Sequence, residues 1–420
     1  MRNSKLASLP MKLNTSMANN LDSLTRSTRA ALPSQELTGD STEDSTSEST
    51  AAKRYSLIRG CSLFEHNQGL VIGNLNRVAT VTSNFQRSAL AQLAQGEDPM
   101  ANLYEPIRGE ISTFILLLDS LGFLNHINAA LTLPRRNLEN KARVSNGDAL
   151  DLAINQLNVR SAPELMQSEW IDGCGDGGTS TVAGRSQYVI ELSGRSRVIT
   201  LLYSLLLASG VTRVRFADDL RQCVIGDLDI GFGAITASDL GSNYYEILES
   251  RRRAISLFPI DRNERFTNDG SLPLLTAHCG DVDPELMTQW SNQRQPYLLI
   301  HMPIGDELAI GPLVEPGKSP CIRCLSLYER DHFGFTRTQR IPLTEIKDFP
   351  AIAAHYVAAL AASKILHFID DTTSMRKINP GKTNNNRATG LGEISYINLQ
   401  HLTEPQVVAI ARHPLCGCDK

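Results

Sequence analysis

A surplus of charge of either sign is missing from this 420-residue chain: 41 Lys and Arg face 45 Asp and Glu, a net charge of −4. A surface built to neutralise nucleic-acid phosphate needs a clear excess of cations, so a nucleic-acid partner is not expected. Long apolar runs are missing too. The strongest, 199–211 and 355–369, fall short of the roughly 20 residues that cross a bilayer, and the second carries Lys364, His355 and His367. The N-terminus has no apolar core followed by a small-residue cleavage site, so a secretory signal is not expected. Cysteine is sparse, with eight residues, far too few for a disulfide scaffold. Together these absences predict a cytoplasmic protein with no membrane partner. There is no GxSxG elbow, P-loop lysine motif or HExxH. What remains, 41% hydrophobic and 20% charged residues, suits two or three globular domains.

Residues 1–53 are polar and biased, and the run 41–50 (STEDSTSEST) holds no apolar residue. Such a segment cannot bury enough surface to offset its ordering entropy, and it is expected to be disordered, with Met11 or Met17 as alternative starts. Residues 54–128 differ. Two short strands flank an Asn-Gln-Gly turn in 63–73, a third extended piece covers 78–82, and a helix over 84–96 is capped by Ser83 or Asn84 and stopped by Gly96. A second helix follows within 111–124, with Ile111, Phe114, Ile115 and Leu118 on one face, before the closing Leu-Gly-Phe-Leu turns the chain into an extended piece. This order suggests a small winged-helix-like α+β module. Residues 129–186 read as a connector with a basic patch (135–143), a weakly signalled helix near 148–158 and a flexible glycine-rich loop, 173–180. From 187 the pattern alternates: strand 187–192, a helix bearing Val198, Leu201, Leu202, Leu205 and Leu206, strand 212–218, buried strands 273–279 and 296–302, a helix over 355–369 and a strand at 392–400. This predicts an α/β, Rossmann-like domain over 187–420.

Two groups of residues could carry chemistry. Cys321 and Cys324 stand at CxxC spacing, and Cys416 and Cys418 flank Gly417. Four thiolates able to converge are what a structural zinc requires, and four filled positions leave no open coordination site. Redox thiols or unrelated surface cysteines are the competing reading. Cys61, Cys174, Cys223 and Cys279 are isolated and read as small buried hydrophobes. The second group is the turn after strand 187–192. A dinucleotide turn reads GxGxxG with an acid about 20 residues on. Here Gly194 stands alone, Ser196 and Ile199 replace the other two glycines, and Asp218 ends the next strand. Ser196 places a Cβ where a phosphate would approach. The helix-start amides could still attract an anion; an ordinary βαβ unit with a decayed site is the plainer reading. Arg251–Arg253 read as a solvated helix face, the histidines at 278, 301, 355 and 367 as satisfied core or rim residues, and Lys318 as part of a solvated loop beside the cysteines.

The strings 208–219 (ASGVTRVRFADD), 233–242 (GAITASDLGS), 311–331 (GPLVEPGKSPCIRCLSLYERD) and 413–418 (HPLCGC) resemble the ThiF/MoeB-type, ubiquitin-activating-enzyme-like family. The nearer match is to a bacterial branch in which a winged-helix module precedes the ThiF-like domain, as in partners of peptide cyclodehydratases. The resemblance spans 54–418 and is strongest from 187 onward. It implies adenylation of a peptide or protein C-terminus with ATP-Mg²⁺, the turn falling on Gly194, Ser196 and Ile199 and the ribose acid on Asp218. Two of three glycines are replaced, and 219–232 holds no Asn to grip the triphosphate. The leading expectation is therefore a ThiF-like protein with a degenerate nucleotide site. It would act as a peptide-binding or scaffold subunit whose partners are a precursor peptide or small carrier protein and a modifying enzyme, with a possible homodimer. An active ATP-dependent adenylyltransferase is the first alternative and a winged-helix transcription regulator the second; a nicotinamide oxidoreductase ranks last.

Overall fold

In the computed structural model, residues 55–418 are described, apart from 67–68, 75, 102, 127–146, 171–174, 259–271, 342, 345 and 374–389. The expectations for 1–53, for the basic patch 135–143 and for Cys174 lie outside the described residues.

The first module follows its sequence signals closely. Strands β1 (Tyr55–Leu57), β2 (Ser62–His66), β3 (Gly69–Gly73) and β4 (Val78–Val81) precede helices α1 (Asn84–Gln95) and α2 (Ile107–Ser120) and strand β5 (Leu124–His126). Strands β2, β3 and β4 form an antiparallel sheet in that order, and β1 pairs with β5. Ser83 caps α1 by accepting the Gln86 amide at 3.2 Å, and Gly96 ends it at φ 73°. Helix α2 starts one turn earlier than its apolar spacing suggested. Ile72, Val81, Leu90, Leu93, Phe114 and Leu118 close the core.

The connector is more ordered than the sequence implied. Helix α3 (Gly147–Glu169) runs for 23 residues, through Pro163. Of the glycine-rich stretch, 175–178 is a packed turn and not a flexible loop. Gly178 sits at φ +77°, and a Cβ there would lie 2.7 Å from the Leu165 carbonyl oxygen. Asp176 accepts the Ser180 amide at 2.8 Å at the start of helix α4 (Thr179–Gly184).

The α/β domain comprises β6 (Val189–Ser193), α5 (Arg197–Ala208), β7 (Arg213–Phe216), α6 (Asp218–Arg221), α7 (Tyr244–Ile255), β8 (Leu274–Cys279), α8 (Pro284–Asn292), β9 (Tyr297–Ile304), β10 (Glu307–Val314), α9 (Ile322–Phe333), α10 (Ala351–Thr373), β11 (Glu393–Asn398) and β12 (His401–Ala409). These strands form one seven-stranded sheet in the order β12-β11-β10-β9-β8-β6-β7. Strands β7, β6, β8 and β9 are parallel, and β10 to β12 are antiparallel. Strand β6 lies between β7 and β8, so the chain reverses its direction of travel across the sheet at the C-terminal end of β6. A ligand crevice forms at such a point. Helix α10 is long and apolar enough to cross a membrane, yet its Ala354, Val357, Ala361 and Ile365 are wholly buried in the core shared with α5.

The arginine run 251–253 differs from expectation. Arg252 of α7 is buried and bonds Glu249 at 2.8 Å and the Thr212 carbonyl, while Arg251 reaches Asp239 at 2.6 Å. Arg251 and Arg252 are therefore internal pins, while Arg253 stays exposed, as expected. Arg185, 1% exposed, meets Asp370 of α10 through two bonds of 2.9 and 2.8 Å. It also bonds Glu164 of α3 at 3.1 Å and the Ser209 carbonyl at 2.8 Å. Removing one partner of such a pair strands a buried charge. Asp370→Asn is expected to lower unfolding stability by about 3–5 kcal/mol, read from the urea midpoint. Arg185→Met with Asp370→Leu, which removes both charges, should cost less than Asp370→Asn alone.

Candidate functional site

The crevice at the ends of β6, β7 and β8 is built by close backbone approach. Gly194 sits at φ +80°, and a Cβ there would fall 1.9 Å from the Cys279 carbonyl oxygen, so only glycine fits. Beside it, Ser193 Oγ lies 3.0 Å from His278 Nδ1, and His278 Nε2 donates to the Asp281 carbonyl at 3.2 Å. Burial pushes the His278 pKa down, which favours the neutral ring. The histidine is satisfied, as expected.

The acid that meets the turn is Asp219, whose Oδ2 accepts the Gly194 amide at 2.8 Å. Asp218 turns outward, with its side chain 94% exposed and its carboxylate 3.7 Å from Arg221. Both residues open the short helix α6, and its rotation separates their directions. Two adjacent aspartates in sequence hold no signal that distinguishes them.

Ser196 does not face the crevice. It is buried, caps α5 by accepting the Ile199 amide at 3.3 Å, and donates to Cys279 Sγ at 3.2 Å. Ile199 belongs to the core. Both arginines of the turn are engaged within the chain. Arg195 bonds Asp229 at 2.6 Å. Arg197 Nε bonds the Leu228 carbonyl at 2.7 Å, its Nη1 bonds the Phe349 carbonyl at 3.0 Å, and its guanidinium lies 4.3 Å from the Phe232 ring centre. The Arg197 amide, first in the helix, donates to the Asp348 carboxylate at 3.1 Å. Burial raises the Asp348 pKa, and the Phe349 and Arg197 amides oppose that rise. Beside His278, Asp281 receives Arg340 Nη2 on both carboxylate oxygens at 3.0 Å. The sequence reading missed Asp348 and Arg340. They lie well over a hundred residues from the turn, and only tertiary folding brings Asp348 to it.

The second site is the cysteine quartet. Cys321 precedes α9 and Cys324 lies in its first turn; Gly417, at φ +74°, lets the chain after β12 fold back with Cys416 and Cys418. The sulfurs lie 3.3 Å apart for Cys321 and Cys416, 3.5 Å for Cys324 and Cys418, and 4.0 Å for Cys321 and Cys324. All four fall within 4.8 Å of one another and could hold a metal ion. A tetrahedron with 2.3 Å zinc–sulfur bonds has edges of about 3.8 Å, so the quartet fits. The His413 amide donates to Cys324 Sγ at 3.3 Å, support of the kind that orients metal ligands. Lys318 of the adjoining loop pairs with Glu315 at 2.6 Å.

No protein-family model matches the chain, and no curated protein matches it. Solved structures do. E. coli MccB with MccA-N7isoASN superposes at TM-score 0.55 with 14% identity, covering 87% of this chain and 100% of that one. E. coli MccB with ATP superposes at 0.54 with 15% identity and the same coverage. The microcin C7 biosynthetic enzyme MccB with N-formylated MccA gives 0.55, 15%, 87% and 99%. At these identities the likeness is one of fold: the chain shares the Rossmann-like α/β architecture of MccB.

The capping role of Ser196 has a measurable signature. Ser196→Ala should cost about 1 kcal/mol and Ser196→Gly only a few tenths, compared by chemical denaturation. The opposite ranking would show that the hydroxyl is not the cap.

Proposed function

We propose that the chain is a ThiF-like subunit of a peptide-modifying system. It binds a precursor peptide or small carrier protein for a separate modifying enzyme, and its nucleotide site is degenerate. The fold likeness to MccB, whose structures hold the MccA peptide and ATP, supports the system class. The observation that carries peptide binding is strand β2. It is an outer strand of the β2-β3-β4 sheet, its residues 62–65 are exposed, and it presents Leu63 (44% exposed) and Phe64 (50%) on opposite faces. Leu63 stands opposite buried Ile72 in the register, at the rim of the core. An extended peptide added to this edge would gain main-chain hydrogen bonds and an apolar anchor. In this reading residues 54–128 are the winged-helix-like recognition module, the protein is cytoplasmic, and it can pair with a second copy.

The nucleotide side of the reading rests on the turn. Only Gly194 is retained, Ser196 is spent as a helix cap, and Ile199 is core. Purified protein is expected to show no carboxylate-dependent ATP–pyrophosphate exchange. Robust exchange abolished by Asp218→Ala would make the protein an adenylating enzyme instead. For the peptide, fluorescence anisotropy with short precursor peptides encoded beside the gene should show binding. Leu63→Asp should weaken that binding at least about tenfold by removing the apolar anchor.

The quartet is read as a structural zinc site. Metal analysis should find one zinc per chain. Because zinc binding is coupled to folding, Cys416→Ser should lose the metal and lower the melting temperature while peptide affinity stays near that of the natural protein. Natural protein purified without zinc would remove this part of the reading.

A further inference from the structure

The resemblance implies ATP with Mg²⁺ in the crevice, and the residues there do not fit that ligand. A phosphate at the start of α5 would be drawn by free amides and the helix dipole. That pole already faces a carboxylate: Asp348 accepts the Arg197 amide at 3.1 and 3.4 Å through its two oxygens and the Phe349 amide at 2.7 Å. An incoming phosphate would meet a like charge in a half-buried place, where repulsion is weakly screened. A metal ion needs an available acid. Asp219 already holds the Gly194 amide and Asp218 turns outward beside Arg221, while Asp281, two residues past β8, is bound on both oxygens by the Arg340 guanidinium. A cation arriving at Asp281 would have to displace another cation.

The two opposing charges come from one stretch of chain, ahead of α10. It is fixed at both ends: Arg340 Nη1 also bonds the Pro303 carbonyl at 3.4 Å, and Phe349, next to Asp348, is buried in the core and bonds Arg197 through its carbonyl. We propose that Asp348 and Arg340 are built-in counter-charges, standing where an anionic ligand and its cation would stand, and that they seal the crevice against nucleotides. The proposal rests on the reading of a degenerate nucleotide site and supplies its physical cause. Loss of two glycines removes room, whereas these side chains fill the electrostatic vacancy that such a fold otherwise leaves at the helix start. A chain sealed in this way keeps the α5 dipole satisfied without any ligand.

Titration calorimetry with ATP-Mg²⁺ tests this on the full chain, comparing the natural protein with Asp348→Asn and with Asp348→Asn/Arg340→Gln. Asn keeps an oxygen for the Arg197 amide, so the helix stays capped, and circular dichroism with thermal melting confirms folding. The single variant decides the matter if the double variant does not fold. The expected result is no binding by the natural protein and a rise in association constant of about tenfold or more above that limit in the variants. Folded variants that bind no better than the natural protein would overturn the seal while leaving the degenerate-site reading in place. Tight ATP binding by the natural protein would overturn both.

Discussion

The structure depends on one buried arginine. Arg185 is held by Asp370 in two directions, by Glu164 and by the Ser209 carbonyl. Desolvation alone would push its pKa down, and the carboxylates reverse the sign so that the charge is kept. One cation thereby fixes α3, the turn before β6, the end of α5 and the long helix α10. A second buried group continues the linkage toward the N-terminal module. Glu169, the last residue of α3, accepts from the Arg59 amide at 2.7 Å and from Asn125 at 3.3 Å, and it pairs with the Arg59 guanidinium. The C-terminal end of α3 is thus a junction, where Glu164 reaches the sheet domain and Glu169, little more than a turn later, reaches the small module.

Against that frame the crevice has an unusual economy. The fold leaves four polar ends at the C-terminal edge of the parallel strands, and each finds a partner within the chain: Asp219 on Gly194, His278 on Ser193, Asp348 on Arg197, Arg340 on Asp281. A buried polar group without a partner is costly. These four pairings meet that cost within the chain.

Much of this was legible in the sequence, and the failures share a cause. Local signals fixed β2 to β4, the Ser83 cap, the Gly96 stop and the βαβ start, because those depend on residues a few positions apart. The cysteine quartet was readable because two close pairs, each beside Pro or Gly, constrain their own turns. Arg251 and Arg252 were misread because a charge run looks solvated unless Asp239 and the Thr212 carbonyl are known to lie beside it. The packed turn at 175–178 was misread because glycine signals both looseness and close approach, and only the Leu165 carbonyl shows which applies. Which of Asp218 and Asp219 would hold the Gly194 amide was not readable, since that depends on the rotation of one short helix.

The separation of Arg185 and Asp370 by 185 residues has a bearing on biosynthesis. At roughly 5–20 residues per second, the ribosome needs on the order of 10–40 s to reach the second partner after making the first. The β2-β3-β4 sheet and its two helices rely on near neighbours and can form during that interval. The sheet domain must wait, with Arg185 solvated and the α5 surface that α10 will cover still open. Nascent chains would therefore carry a finished N-terminal module ahead of an unfinished α/β domain, a stage at which a chaperone could engage them.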